Sequence, residues 1–177
     1  MNLPNKLTLA RILLIPVMVG CFYLPGRFNY LIAAAVFLLA YITDALDGKI
    51  ARKRNIVTNF GKLMDPIADK LLSCSAFVML LAVGLISPIA IIIVLAREFL
   101  ISGLRLIAVE QGIVIAASFL GKLKTVSQFI AIMIVLIWPY FNVKFPLDQI
   151  MLWLSVVITI WSGVDYMVKN KFSSLLK

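Results

Sequence analysis

The sequence contains no histidine, two cysteines and only 8 acidic residues among 177. The missing histidine excludes Ser-His-Asp triads, histidine-ligated zinc or haem, and phosphohistidine intermediates. Cys21 and Cys74 sit in apolar runs without a CxxC pairing, so they read as small buried thiols rather than redox or metal ligands. Charged residues make up 14% of the chain and hydrophobic residues 63%, with a mean hydropathy of +1.05. Soluble domains are typically about 25% charged and about 45–50% apolar. A short chain exposes too much of its surface to bury such an excess. A soluble globular domain and a disordered chain are both ruled out on this reading, which leaves the bilayer as the solvent.

The scarce charges are lopsided: 17 Lys and Arg against 8 Asp and Glu, for a formal net charge of +9. In a soluble protein that balance suggests nucleic acid. On a chain this apolar it reads as the lysine and arginine excess that orients membrane proteins, and no nucleic-acid partner is expected. Anionic head groups or phosphorylated substrates are a second use for it.

Six apolar segments follow one another, at about 7–24, 28–52, 60–83, 88–109, 124–140 and 147–168. Each is close to the length, about 17–25 residues, that crosses a bilayer as a helix. The runs are continuous rather than alternating, which favours helices over a barrel. The first could pass for a signal peptide, but Phe22, Tyr23 and Leu24 stand where small residues precede cleavage, and Met18 fits a lipoprotein box poorly. It reads as a retained helix. Without repeats or low-complexity stretches, residues 1–177 read as one domain. The basic residues cluster at the N-terminal end (Lys6, Arg11), around the second connection (Lys49, Arg52, Lys53, Arg54, Lys62, Lys70), around the fourth (Arg105, Lys122, Lys124) and in the tail (Lys169, Lys171, Lys177). The other side holds only Arg27 and Lys144. Both termini are therefore expected on the cytoplasmic side. The expected architecture is an all-α integral membrane protein of six transmembrane helices, with its active-site cavity toward that side.

Half of the acids fall within 26 residues: Asp44, Asp47, Asp65 and Asp69. Asp44, Asp47, Gly48 and Ala51 share an arc of roughly 100° on the second helix. Asp65 and Asp69 are spaced i, i+4 on the third. A short connection makes the two helices antiparallel neighbours, so the carboxylates can converge. An aspartate at mid-helix in lipid costs about 2.5–3.5 kcal/mol, so four must face a polar cavity, carry protons or bind cations. Oxygen-only ligands suit Mg²⁺, Mn²⁺ or Ca²⁺, and four aspartates could hold two such ions about 3.5–4 Å apart. The plainer alternative is ion pairing with Arg52, Lys62 and Lys70 at a solvated helix end. The small Gly48 and Ala51 leave room for an extended ligand or for close helix packing. Arg52 suits phosphate or serves as a cytoplasmic anchor.

The string Asp44-x2-Asp47-Gly48-x2-Ala51-Arg52-x8-Gly61-x3-Asp65-x3-Asp69 resembles the signature of the CDP-alcohol phosphotransferase superfamily, DxxDGxxARx8GxxxDxxxD, at every position. The chain is similar to the bacterial branch that makes phosphatidylglycerophosphate at residues 3–11, 61–66, 97–105 and 121–125. The resemblance implies six transmembrane helices, usually in a homodimer, in the bacterial cytoplasmic membrane. It implies transfer of a phosphatidyl group from CDP-diacylglycerol to sn-glycerol 3-phosphate, releasing CMP. It further implies Asp44, Asp47, Asp65 and Asp69 as ligands of two divalent cations, Mg²⁺ or Mn²⁺, with Asp69 also the general base. Gly48, Ala51, Arg52 and Thr58 would contact the CDP-diacylglycerol, with Asn5 and Thr8 helping from the first helix.

The acceptor's phosphate dianion needs cations. Arg97, inside the fourth helix, is the cation hardest to explain otherwise. Arg105, Lys122 and Lys124, with Arg97 assisting, are expected to bind glycerol 3-phosphate, and Lys62 is a further candidate for a phosphate. Glu98 and Arg105, seven apart, are expected to pair in part. The alternative is a structural Arg97–Glu98 network beside ordinary orienting lysines. Trp138, Tyr140, Trp153, Trp161 and Tyr166 read as interface or core aromatics. Competing functions are the same chemistry on inositol phosphate, inositol or serine, and a cation-coupled transporter, which favours broken helices and internal repeats absent here. An intramembrane aspartyl protease lacks its Tyr-Asp and Gly-x-Gly-Asp motifs.

Overall fold

The computed structural model describes the backbone of residues 3–54, 59–111, 118–141 and 143–169, and within these the side chains of all but 3–7, 44–54, 59–63, 65 and 66. Six α-helices account for nearly all of it: α1 (Leu3–Cys21), α2 (Asn29–Arg54), α3 (Asn59–Ala82), α4 (Pro88–Glu110), α5 (Phe119–Ile137) and α6 (Leu147–Lys169). A single 3-10 turn, Trp138–Tyr140, follows α5, where Pro139 cannot continue the ladder. No strand occurs among the described residues. Each helix corresponds to one of the six apolar segments. Two of them, Phe119–Tyr140 with its 3-10 turn and Leu147–Lys169, are long and apolar enough to cross a membrane, and Thr8–Cys21 and Asn29–Thr43 are shorter apolar stretches.

The helix ends have local causes. Gly26 and Gly84 take φ values of 128° and 75°, which a side chain would resist, and they carry the chain out of α1 and α3. Ser87 caps α4, accepting from the Ile89 amide at 3.3 Å, and Pro88 follows in the first turn. One boundary differs from the sequence expectation. Gly121 reads as a breaker that delays the fifth helix to about residue 124, yet α5 starts at Phe119. The reason is Ser118, whose hydroxyl accepts from the Gly121 amide at 3.0 Å and whose carbonyl accepts from the Lys122 amide at 3.2 Å. The glycine lies inside the capped first turn rather than before it.

The chain divides into two compact units, 1–83 with 136–141, and 84–135 with 142–177. In the first, α1 packs extensively on both α2 and α3, whereas α2 and α3 touch each other less. α1 buries Thr8, Arg11, Ile15 and Met18, one every three or four residues, and Phe22 just beyond its end continues the row. Ala33, Phe37 and Ala40 of α2, and Ala68, Leu72, Ala76 and Leu80 of α3, are buried with the same spacing. The alanines let backbones approach closely. Asn29 ties the first turn to α2 by donating to the Phe22 carbonyl at 3.3 Å.

In the second unit α4 packs on α6. The buried face of α4 is Ala90, Ile91, Val94, Glu98, Ile101, Leu104 and Ala108, and that of α6 is Leu152, Ser155, Val156, Thr159, Ser162, Gly163 and Tyr166. Ile101, Leu104 and Tyr166 form one apolar cluster. Gln128 of α5 donates to the Thr159 hydroxyl at 3.0 Å, and that hydroxyl donates to the Ser155 carbonyl at 2.7 Å. Interhelical hydrogen bonds of this kind contribute about 0.6 kcal/mol each in membranes. Gln128→Leu should therefore cost only about 0.5–1 kcal/mol in a detergent unfolding titration, because Thr159 keeps its own acceptor.

Candidate functional site

The site begins with helix continuity. α2 runs unbroken to Arg54 and α3 starts at Asn59. Asp44, Asp47, Gly48, Ala51 and Arg52 are thus helical residues near the C-terminal end of α2. Lys62, Asp65 and Asp69 lie in the first half of α3. Their helical registers are those expected: Asp44 and Asp47 within one turn, Asp65 and Asp69 one turn apart. Thr58 falls outside the described residues. The side chains of Asn5, Asp44, Asp47, Gly48, Ala51, Arg52, Lys62 and Asp65 also fall outside them. Asp69 is half-buried, and its carbonyl accepts from the Ser73 hydroxyl at 3.1 Å. The acids of residues 1–83 are these four aspartates alone, and the carboxylate oxygens they offer are donors suited to a hard divalent cation.

The first helix contributes more than the sequence reading gave it. Thr8 is 1% exposed and Arg11 is 0% exposed, three residues apart on the face of α1 turned to α2 and α3. Arginine is almost never buried without charged or hydrogen-bonding company. Thr8 was expected to help at the site, and Arg11 was counted only as an orienting charge. The spacing puts the two on one face, since i and i+3 are neighbours, but only the packing shows that this face is the buried one.

The second unit carries the remaining candidate cations. Glu98, buried in the middle of the α4 face, receives Arg97 Nη1 at 3.3 Å and also the Lys124 ammonium from α5, both on Oε1. Arg97 Nη2 donates to the Ser162 hydroxyl of α6 at 2.7 Å. Gly163 makes room for this arginine, because a Cβ there would lie 3.3 Å from Arg97 Cγ. Arg105, two turns beyond Glu98 on α4, sets its guanidinium 5.6 Å from the Tyr166 ring centroid. Lys122 is exposed.

The structure therefore joins Arg97 and Lys124 through one carboxylate and holds three helices together at that point. The pairing expected between Glu98 and Arg105 gives way to this triad: Arg97 and Lys124 take the carboxylate, and Arg105 packs on an aromatic face instead. Arg97, Lys124 and Glu98 sum to a formal +1, and Arg105, on the same helix as Arg97, raises the group to +2. That equals the charge of a phosphate monoester dianion in size and opposes it in sign. The reading from sequence missed Ser162, and it assigned Tyr166 no role. Their signal was the polar stripe Ser155, Thr159, Ser162 and Tyr166, which recurs every three or four residues in an otherwise apolar α6.

The family model for CDP-alcohol phosphatidyltransferase matches residues 1–161. A Bacillus subtilis (strain 168) protein named CDP-diacylglycerol–glycerol-3-phosphate 3-phosphatidyltransferase is 43% identical over 183 residues, covering 96% of this chain and 95% of the relative. A protein of the same name from Rickettsia typhi is 44% identical over 168 residues, covering 93% and 94%. Another from Haemophilus influenzae is 39% identical over 178 residues, covering 98% and 96%. On this family match and on relatives of nearly equal length, the chain belongs to the CDP-alcohol phosphatidyltransferase family.

Proposed function

We propose that this protein transfers a phosphatidyl group from CDP-diacylglycerol to sn-glycerol 3-phosphate, giving phosphatidylglycerophosphate and CMP. The observation that carries this reading is similarity along nearly the whole chain to relatives bearing that activity in their names. Two divalent cations, Mg²⁺ or Mn²⁺, would be held by Asp44, Asp47, Asp65 and Asp69 and would offset the charge of the donor pyrophosphate.

The chain's own residues do the rest. Gly48, Ala51, Arg52 and Thr58, with Asn5 and Thr8, hold the CDP end of the donor. Lys62 is a further contact for a phosphate. Asp69 takes the proton of the acceptor hydroxyl as that oxygen attacks the β-phosphorus. The bond from the β-phosphorus to the bridging oxygen breaks, and CMP leaves with the electron pair. In the absence of histidine a carboxylate is the available base, and its worth comes from position, since an ordinary aspartate has a pKa of about 3.9.

Arg97, Arg105, Lys122 and Lys124 hold the acceptor's phosphate. The +2 balance around Glu98 supports this, because neither a neutral inositol nor a zwitterionic serine calls for it. Arg105→Ala should raise the KM for sn-glycerol 3-phosphate about tenfold or more, as loss of a charge-assisted hydrogen bond to phosphate does. An unchanged KM would remove Arg105 from the pocket.

The protein works as one domain, 1–177, in the bacterial cytoplasmic membrane, spanning it six times with both termini and the active-site cavity on the cytoplasmic side, and it forms a homodimer. In support, α6 leaves Trp153, Leu154, Val157, Ile160, Trp161, Val164 and Val168 exposed, an apolar face suited to lipid. The reading is tested directly by incubating the protein with CDP-diacylglycerol, Mg²⁺ and labelled sn-glycerol 3-phosphate. Label should appear in the lipid fraction, and label remaining in the aqueous phase would refute it. A cation-coupled transporter would instead show cation-dependent flux in proteoliposomes without CMP release.

A further inference from the structure

A fully buried arginine needs a partner. Breaking a buried ion pair is strongly destabilising, because one charge is left uncompensated. Arg11 is 0% exposed, and α1 packs on α2 and α3. Every acid on α2 and α3 belongs to the motif: Asp44, Asp47, Asp65 and Asp69. Of the other acids, Glu98 is held by Arg97 and Lys124, and Asp165 by Lys169.

Helix arithmetic gives the depth. Short turns make consecutive helices antiparallel, so the ends of α1 and α3 and the start of α2 share one level. Thr8 and Asp69 each precede the last residue of their helix, Cys21 and Ala82, by 13 positions. Asp44 follows the first residue of α2, Asn29, by 15. At 1.5 Å per residue all three lie about 20–22 Å from that shared level. Arg11 starts one turn closer to it, but helical side chains lean toward the N-terminus of their own helix, which returns a long guanidinium to the depth of Thr8.

We propose that Arg11 is a positioning residue of the aspartate centre: its guanidinium pairs with a motif aspartate and supplies a fixed counter-charge there. Four carboxylates that converge on one site, as the proposed metal centre requires, would repel one another. A built-in cation offsets part of that repulsion before any metal arrives and fixes the rotamer of the carboxylate it holds. It also competes with metal for that carboxylate, so the metal-free protein should depend on Arg11 more than the metal-loaded protein does.

The test is a double-mutant cycle on the full-length protein in detergent with EDTA. The unfolding midpoint is measured for Arg11→Met alone and combined with Asp44→Asn, Asp47→Asn, Asp65→Asn and Asp69→Asn. The expected result is that Arg11→Met lowers the midpoint by several degrees, and that most of this loss disappears in at least one aspartate background. Full additivity in all four backgrounds would overturn the proposal. If Arg11→Met does not fold, Arg11→Lys, which keeps the charge and loses the fork, should show the same coupling at smaller size.

A second readout rests on the reading of the aspartates as metal ligands. Saturating Mn²⁺ should shrink the midpoint loss caused by Arg11→Met to less than half, and an equal loss with and without Mn²⁺ would contradict the competition. A wild-type midpoint unmoved by Mn²⁺ would refute the metal reading itself, while the cycle in EDTA would still decide the pairing.

Discussion

Replacing Asp69 by Asn should reduce CMP release from CDP-diacylglycerol by about a thousandfold or more, with the protein still folded. Two losses combine in this variant. A positioned general base contributes roughly 10²–10⁴ in rate, and an amide oxygen is a poor ligand for a hard cation compared with a carboxylate. If Asp69 is the base, as proposed, the loss should fall on kcat, with the acceptor KM changed little. The half-burial of Asp69, in the first half of α3 where Ser73 answers its carbonyl, argues that the isosteric amide can be accommodated. Raising Mn²⁺ concentration should not restore the rate. A variant retaining a tenth of the wild-type rate would assign the base elsewhere.

The second large effect is expected at Lys124. This ammonium is buried and shares Glu98 with Arg97. Lys124→Met leaves the carboxylate to Arg97 alone in an apolar surrounding. The expected cost is about 3 kcal/mol, the lower end for a broken buried pair, because one cation remains. The KM for sn-glycerol 3-phosphate should rise about 10- to 100-fold, the range of one or two charge-assisted hydrogen bonds to phosphate. Stability and binding are separable here. In Lys124→Met combined with Arg97→Met and Glu98→Gln all three buried charges are gone, so most of the stability should return. On the proposed acceptor pocket the KM should stay high, because the cations assigned to the phosphate are missing. Recovery of KM together with stability would make Lys124 a structural residue only.

These two positions also mark what the sequence could and could not convey. The six helices were legible because each apolar run has one length and one periodicity, and neighbouring turns carry Gly26, Gly84 and Pro88. The start of α5 was not, because the Ser118 cap outweighs a glycine that, by itself, reads as a breaker. The aspartate registers followed from spacing alone, since a helix fixes which residues share a face. The pairing of Glu98 did not follow, because partners on α5 and α6 are set by how helices pack, which i, i+7 spacing along α4 cannot encode. Arg11 was misjudged for a related reason. A lysine or arginine near the start of a first helix normally faces the cytoplasm, and only the packing of α1 against α2 and α3 reveals that this one is buried.

Acceptor choice is the central claim. The protein, CDP-diacylglycerol and Mg²⁺ are combined with sn-glycerol 3-phosphate, serine, inositol or inositol phosphate in turn, and released CMP is measured. CMP release should depend on sn-glycerol 3-phosphate. Release with serine or inositol phosphate in the absence of glycerol 3-phosphate would contradict it.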